Sequence, residues 1–234
     1  MALRLEELAK TIDQTLLDPR AAPAEIEQIC VRARDTHLAS LCVLPKHVAA
    51  AAEHLRGSDV KVCAVVGYPD GAPASKAKVA EAERSLDEGA GEIEFALNVK
   101  AMLASDFALV RDELAAFTRT VRMRTANGGR GSVVLKGVIG VARLDDKRKK
   151  LACKLVELAG VDFAQTEANG APVSVHDVEL LRDYLPETVG VKAAGRVETL
   201  DDALTIINAG AGRVGSAYAL DILGEAAGLD RVRA

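Results

Sequence analysis

Eight times along the chain a short apolar run gives way to a longer helical pattern, and this alternation limits the possible folds more than any other feature. The runs are T-I-D (11–13), S-L-C-V-L (40–44), K-V-C-A-V-V-G (61–67), E-I-E-F-A-L-N (92–98), S-V-V-L-K-G-V (132–138), D-F-A-Q (162–165), V-G-V-K-A (189–193) and G-R-V-G (212–215). Between them lie stretches rich in Ala, Leu, Glu and Lys, such as 74–89 and 199–210. The second of these opens on Thr199, a capping residue, and closes on Gly210, a stop signal. Strands that alternate with helices form a parallel sheet covered by helices. Eight such units predict an α/β fold of the closed (β/α)₈ TIM-barrel type. A doubly wound sheet would use fewer strands and often a G-x-G-x-x-G turn, which is absent. No linker divides the chain, so residues 1–234 are expected to form one barrel domain, with a short helix over 2–10 capping it.

Apolar residues make up 49% of the chain but aromatics only 3%, so the core must be built from Val, Leu, Ile and Ala. That mix suits a buried parallel sheet. A net charge of −4 argues against nucleic-acid or anionic-membrane partners. The arginine-rich stretch Arg119 to Arg130 reads as a solvated linker. Cys30, Cys42, Cys63 and Cys153 form no C-x-x-C pattern and are expected as reduced thiols in the core or near a site. His37, His47, His54 and His176 have no partner spacing, so surface positions, no metal site and no cofactor are expected. The N-terminus lacks a secretory apolar segment, and no run approaches the roughly 20 apolar residues of a membrane span, which together predict a cytoplasmic protein.

In a (β/α)₈ barrel the chemistry sits at the C-terminal ends of the strands. The ionisable residues there are Asp13, Cys42, Glu94, Lys136 and Lys192. Lys136 shares side-chain parity with Val134 and Val138, so it faces the barrel interior. Lys192, in V-G-V-K-A-A-G, is in the same situation. An unpaired buried ammonium is costly, so each lysine needs a carboxylate. Two readings stand: a structural ion-pair network, for example Lys136 with Glu94 and Lys192 with Asp13, or a catalytic set. Cys42 reads either as a small core residue or as part of the site wall. The sixth run ends on Gln165, an amide that neither ionises nor attacks a carbonyl.

The seventh and eighth runs lead into Gly195-Arg196 and Gly215-Ser216, each followed by a helix. Loops at these places in barrels commonly hold a phosphate, because backbone N–H groups approach an anion closely where side chains are small. Arg196 and Ser216 would add a charged contact and a hydroxyl donor.

The motifs I-D-Q-T-L-L, L-C-V-L-P-K-H-V, V-V-G-Y-P-D-G-A, G-A-G-E-I-E, V-L-K-G-V-I, V-G-V-K-A-A-G and I-N-A-G-A-G-R-V-G run through nearly the whole chain. With them the chain resembles the 2-deoxyribose-5-phosphate aldolases, class I enzymes on a (β/α)₈ barrel. The resemblance implies roles residue by residue. The family's imine-forming lysine ends strand six within F-V-K-T-S; here that stretch is F-A-Q-T-E and the residue is Gln165. Lys192 matches the lysine that lowers the nucleophile's pKa, and Lys136 the strand-five lysine that assists at the hydroxyl. Glu94 stands in place of the proton-relay aspartate, one methylene longer. Asp13 is kept from I-D-H-T-L-L, with Gln14 in place of the histidine. Taken together with the strand-end and loop readings above, the expected substrate contacts are Cys42, Thr166, Asn169, Gly195, Arg196, Gly215 and Ser216. Glu167, Asn169 and Arg196 depart from the family's pattern of small and hydroxyl residues. The family also implies a small, phosphorylated substrate and a possible homodimer.

Two ammoniums about 5 Å apart repel by roughly 3 kcal/mol at an effective dielectric near 20, about two pKa units. A site of the family type uses that repulsion to keep one amine neutral and nucleophilic. Lys136, Lys192, Asp13 and Glu94 sum to zero charge. A neutral Gln165 therefore removes both the nucleophile and the excess charge that would activate one. Three functions are compatible with such a chain: a diverged enzyme doing acid–base chemistry without an imine, an aldolase with its nucleophile moved to Lys192 or Lys136, or a catalytically silent binding protein.

Overall fold

Eight parallel strands close into a barrel in chain order in the computed structural model, which describes residues 4–127, 132–167 and 170–233. They are β1 (Ile12–Leu16), β2 (Ser40–Val43), β3 (Lys61–Val66), β4 (Glu92–Ala96), β5 (Val134–Val138), β6 (Phe163–Gln165), β7 (Gly190–Ala194) and β8 (Arg213–Ser216). The seam between first and last strand pairs Ile12 with Val214 and Asp13 with Gly215. All eight predicted strands are present. T-I-D grows to Ile12–Leu16 because its ladder with β2 continues through Thr15 and Leu16.

The helices are α1 (Leu5–Ala9), α2 (Pro23–Asp35), α3 (Val48–His54), α4 (Ser75–Asp87), α5 (Val99–Leu103), α6 (Phe107–Asn127), α7 (Asp146–Ala159), α8 (Val175–Tyr184), α9 (Leu200–Asn208) and α10 (Ala219–Arg233). Local sequence sets their ends. Thr199 accepts from Asp202 N while the Asp202 carboxylate accepts from Thr199 N, a reciprocal cap that starts α9. Asp145 caps α7, and Gly160 ends it with φ 73°, a left-handed conformation that costs glycine nothing.

Side-chain alternation divides the strands between two environments. Outward residues such as Ile12, Leu41, Val62, Ile93, Leu135 and Val191 join the helices in the main apolar core. Inward residues include a small apolar cluster of Cys42, Cys63, Val65 and Val138. Six further interior positions, Asp13, Glu92, Glu94, Lys136, Lys192 and Arg213, carry charge where barrels usually place branched aliphatics.

Two expectations are corrected. The arginine-rich stretch is no linker up to residue 127, since it forms the end of α6. No glycine or proline interrupts it before Gly128, and Val121 is buried. Arg122 reaches Asp162 at 2.8 Å and Arg124 reaches Asp87 at 2.6 Å. His47, expected at the surface, is buried because the 3₁₀ turn Pro45–His47 runs straight into α3 and folds the ring inward. His37 and His176 are exposed and meet Asp59 and Asp146, partners too distant in sequence to be read from spacing.

Candidate active site

Three cations and three carboxylates meet inside the barrel, sealed from solvent apart from Arg213, whose side chain is 13% exposed. Lys136 Nζ lies 2.8 Å from Asp13 Oδ2, 2.6 Å from Glu92 Oε2 and 3.6 Å from Glu94 Oε1. Lys192 Nζ lies 2.7 Å from the same Asp13 oxygen and 2.5 Å from Glu94 Oε1. Arg213 donates to Asp13 Oδ1 at 2.6 Å and to Glu92 Oε1 at 3.3 Å. Strand register explains the meeting: Glu94 pairs with Lys136 across β4 and β5, and Lys192 pairs with Arg213 across β7 and β8. The set is neutral, as expected for charges removed from water, where each ion must be paired.

The balance sets the protonation states. Burial acts to raise the Asp13 pKa, but Lys136, Lys192 and Arg213 outweigh it and hold the carboxyl far below its ordinary range. Glu94 is likewise desolvated, yet Lys192 and Lys136 bring it down to about 2. Burial acts to lower both lysines, and the carboxylates overcome it, Asp13 foremost, so both rise above the ordinary lysine value. Every member of this set with a shifted pKa is driven toward its charged form. A hydrogen bond with Cys63, then burial, push the Cys42 thiol well up, so it stays protonated. Cys42, Cys63 and Glu94 bring their donor atoms within 4.8 Å of one another, a grouping that sequence spacing does not reveal. Glu94 is already committed to Lys192 there, and Lys136 donates to Cys63 Sγ at 3.8 Å.

Gln165 ends β6 above this layer. Its Nε2 donates to Glu94 Oε2 at 2.9 Å and to the Glu167 carbonyl at 2.8 Å. A cleft of about 60 Å³ opens beside it, lined by Thr15, Leu17, Glu94, Gln165, Gly195 and Gly215 among others. Gly215 brings the cleft close to Lys192: a Cβ built there would stand 3.2 Å from Nζ. At Gly195 a Cβ would stand 2.3 Å from the Ala171 carbonyl, so only glycine fits that turn. Glu167 is buried, its carboxylate accepts from Ala142 N at 2.7 Å, and burial raises its pKa.

The other predicted residues are differently engaged. The Thr166 hydroxyl donates to the Ala194 carbonyl at 2.8 Å and accepts from Ala194 N at 3.0 Å, joining β6 to β7. Ser216 donates to the Val197 carbonyl and accepts from Tyr218 N at 2.9 Å, so its hydroxyl hydrogen is committed inside the protein. Arg196 is exposed and pairs with Glu198 at 2.6 Å. The α9 N-terminus is occupied by the chain's own carboxylates: Thr199 N donates to Asp202, and Leu200 N to Glu225 at 2.8 Å. Cys42 lies within the barrel rather than on the cleft wall. Asn169 lies outside the described residues. Sequence reasoning missed Glu92, Arg213 and Thr15. Glu92 shares parity with Glu94, Arg213 with Gly215 and Thr15 with Asp13, a signal that could have found all three.

No model of a protein family matches the chain. Among curated proteins, the deoxyribose-phosphate aldolase of Caldanaerobacter subterraneus subsp. tengcongensis is 37% identical over 223 residues, 94% of this chain and 94% of that protein. That of Thermoanaerobacter pseudethanolicus is 38% identical over 220 residues, 93% of this chain and 96% of that one. The chain belongs to the deoxyribose-phosphate aldolase family. Solved structures agree with the membership. An aldolase superposes with TM-score 0.88 at 28% identity, over 96% of this chain and 98% of its own. The tetrameric deoxyribose-phosphate aldolase of Aeropyrum pernix superposes with TM-score 0.86 at 26% identity, over 97% of this chain and 93% of its own. The chain is therefore an aldolase-like enzyme of the deoxyribose-phosphate aldolase family, built on its (β/α)₈ barrel. Among the described residues no helix is long and apolar enough to cross a membrane.

Proposed function

We propose that this member of the family has diverged, and that it acts on a small, phosphorylated sugar or carbonyl substrate by acid–base chemistry without an imine. The reaction class is enolisation, isomerisation, dehydration or a non-covalent aldol step. One observation carries the reading: both barrel lysines are fully buried and each is bound by two carboxylates within 2.8 Å. An amine attacks only as the neutral base, and these are held as ammoniums. The strand-six end, where the family resemblance places the nucleophile, carries the Gln165 amide.

In this reading Lys192, close behind Gly215, polarises a substrate oxygen or stabilises an enolate. Asp13 and Glu94 keep that ammonium charged, and Lys136 holds Asp13 in place. Glu94 lines the cleft and moves the proton, receiving it as the developing substrate charge draws Lys192 away. The cleft takes only the reacting end of a ligand. The phosphate lies farther out, toward Gly195, Gly215 and Arg196, whose surface pairing with Glu198 is weak enough to exchange.

The test is reductive trapping. The protein is incubated with deoxyribose 5-phosphate or acetaldehyde, treated with borohydride and mapped by mass. No adduct is expected, alongside turnover of at least one compound in a sugar-phosphate panel. An adduct on Lys192 or Lys136 overturns the reading in favour of a relocated nucleophile. Absence of both adduct and turnover overturns it in favour of a silent binding protein.

A further inference from the structure

Both hydrogens of the Gln165 amide are accounted for, and its oxygen is not. Nε2 faces the Glu94 carboxylate and the Glu167 carbonyl, both of which can only accept. Swapping nitrogen and oxygen would set the oxygen against two other oxygens, so the orientation of the amide is determined by its neighbours. The remaining atom, Oε1, is buried and has no hydrogen-bond partner among the described residues. A buried acceptor left without a donor is costly. Gln165 also lines the cleft, so the missing donor can arrive from there.

The neighbours on the cleft wall sharpen the point. Glu94 is ionised and offers lone pairs only. Thr15, which also lines the cleft, has a hydroxyl without a hydrogen-bond partner among the described residues and can donate or accept. A carbonyl or carboxylate oxygen facing Gln165 and Glu94 would meet lone pairs. A hydroxyl meets an acceptor.

We infer that Gln165 Oε1 is a specificity determinant that accepts a hydrogen bond from a hydroxyl on the substrate carbon that enters the cleft, so that the enzyme takes up this carbon as an alcohol, hydrate or hemiacetal in preference to a carboxylate. The inference rests on the proposed function, which places the reacting end of a phosphorylated sugar in this cleft. It turns the replacement at strand six from a loss into a preference. A lysine there would attack a carbonyl carbon, whereas the amide oxygen recognises a carbon that bears an O–H. Glu94 and the Glu167 carbonyl act through Gln165 as positioning groups, since they hold its NH₂ away from the ligand.

Three probes that differ only at carbon 1 test this by calorimetry on the full-length protein: 2-deoxyribitol 5-phosphate with a hydroxyl, its 1-deoxy analogue with a methyl, and 2-deoxyribonate 5-phosphate with a carboxylate. The hydroxyl compound is expected to bind about tenfold more tightly than the methyl compound, the usual worth of one satisfied buried acceptor, and the carboxylate more weakly still. In Gln165→Met, with its fold checked by circular dichroism, the difference between hydroxyl and methyl is expected to vanish. Equal binding of hydroxyl and methyl by the native protein, or tighter binding of the carboxylate, overturns the inference and leaves the proposed function standing. If none of the three binds, both fall. The comparison within the native protein decides the matter even if the variant does not fold.

Discussion

Lys192 Nζ and Glu94 Oε1 are 2.5 Å apart inside the barrel, and the same ammonium meets Asp13 Oδ2 at 2.7 Å. That pairing separates this chain from a site built around a free amine. It joins the cleft, which Glu94 lines, to the buried layer, where Asp13 is shared by three cations.

Asp13→Asn should be the most damaging single change in this layer. It leaves Lys136, Lys192 and Arg213 without their common carboxylate in a medium that penalises unpaired charge. A loss of about 3–5 kcal/mol is expected. Urea unfolding should show it as a lower midpoint with an unchanged slope. A midpoint within error of the native protein's would mean that water reaches these groups.

Gln165→Lys should restore the charge excess that the amide removes. The interior set moves from neutral to +1, and the added amine stands beside Lys192, its register partner across β6 and β7. Repulsion lowers its pKa and frees a fraction of it as nucleophile. Borohydride trapping with acetaldehyde should then give an adduct mapping to position 165. A folded variant that traps nothing would show that the strand-six end is not where a substrate carbonyl arrives.

Acid should unfold the protein through the barrel carboxylates. Glu94 moves from an ordinary value of 4.5 to about 2 on folding, and Asp13 is shifted in the same direction. A depressed carboxyl stabilises the fold above its unfolded pKa, and the contribution fades as pH falls through the folded value. Lys136 and Lys192 are raised, so their contribution is complete below the ordinary lysine value and is lost only at higher pH. For this layer the expected curve is flat from about pH 5 to about pH 10 and falls between about pH 4.5 and pH 2. Unfolding midpoints measured at stepped pH check it; a steep loss between pH 5 and 7 would contradict the assignment.

Gly215→Ala should close the cleft where it nears Lys192. The added Cβ would stand 2.8 Å from Lys192 Cε and 2.9 Å from the Ala194 Cβ, which cannot move independently of β7. Overpacking of this kind costs about 1–3 kcal/mol. A lower melting temperature and loss of sugar-phosphate binding are expected. Full binding by a destabilised variant would place the ligand elsewhere on the barrel mouth.

Much of this was legible in the chain itself. Strand side chains alternate with a period of two, so Lys136 between Val134 and Val138 had to face inward, and with it Glu94 and Lys192. The same alternation would have exposed Glu92, in E-I-E, had it been followed one residue pair further. Helix ends such as Thr199 with Asp202 and the stop at Gly160 are local chemistry, and local chemistry is written in sequence.

By itself, then, the sequence determined an eight-unit α/β barrel, its family, and an interior that carries lysines and carboxylates with an amide at the sixth strand's end. Tertiary structure alone decided which charges share which oxygen. Arg213 reaches Asp13 from 200 residues away only because β8 closes against β1. Closure also committed the Ser216 hydroxyl to Val197, filled the α9 N-terminus with Asp202 and Glu225, and left Gln165 Oε1 as an acceptor without a donor among the described residues. Periodicity says which way a side chain points. Its partners depend on contacts that exist only once distant strands have met, so they are decided by the closed barrel.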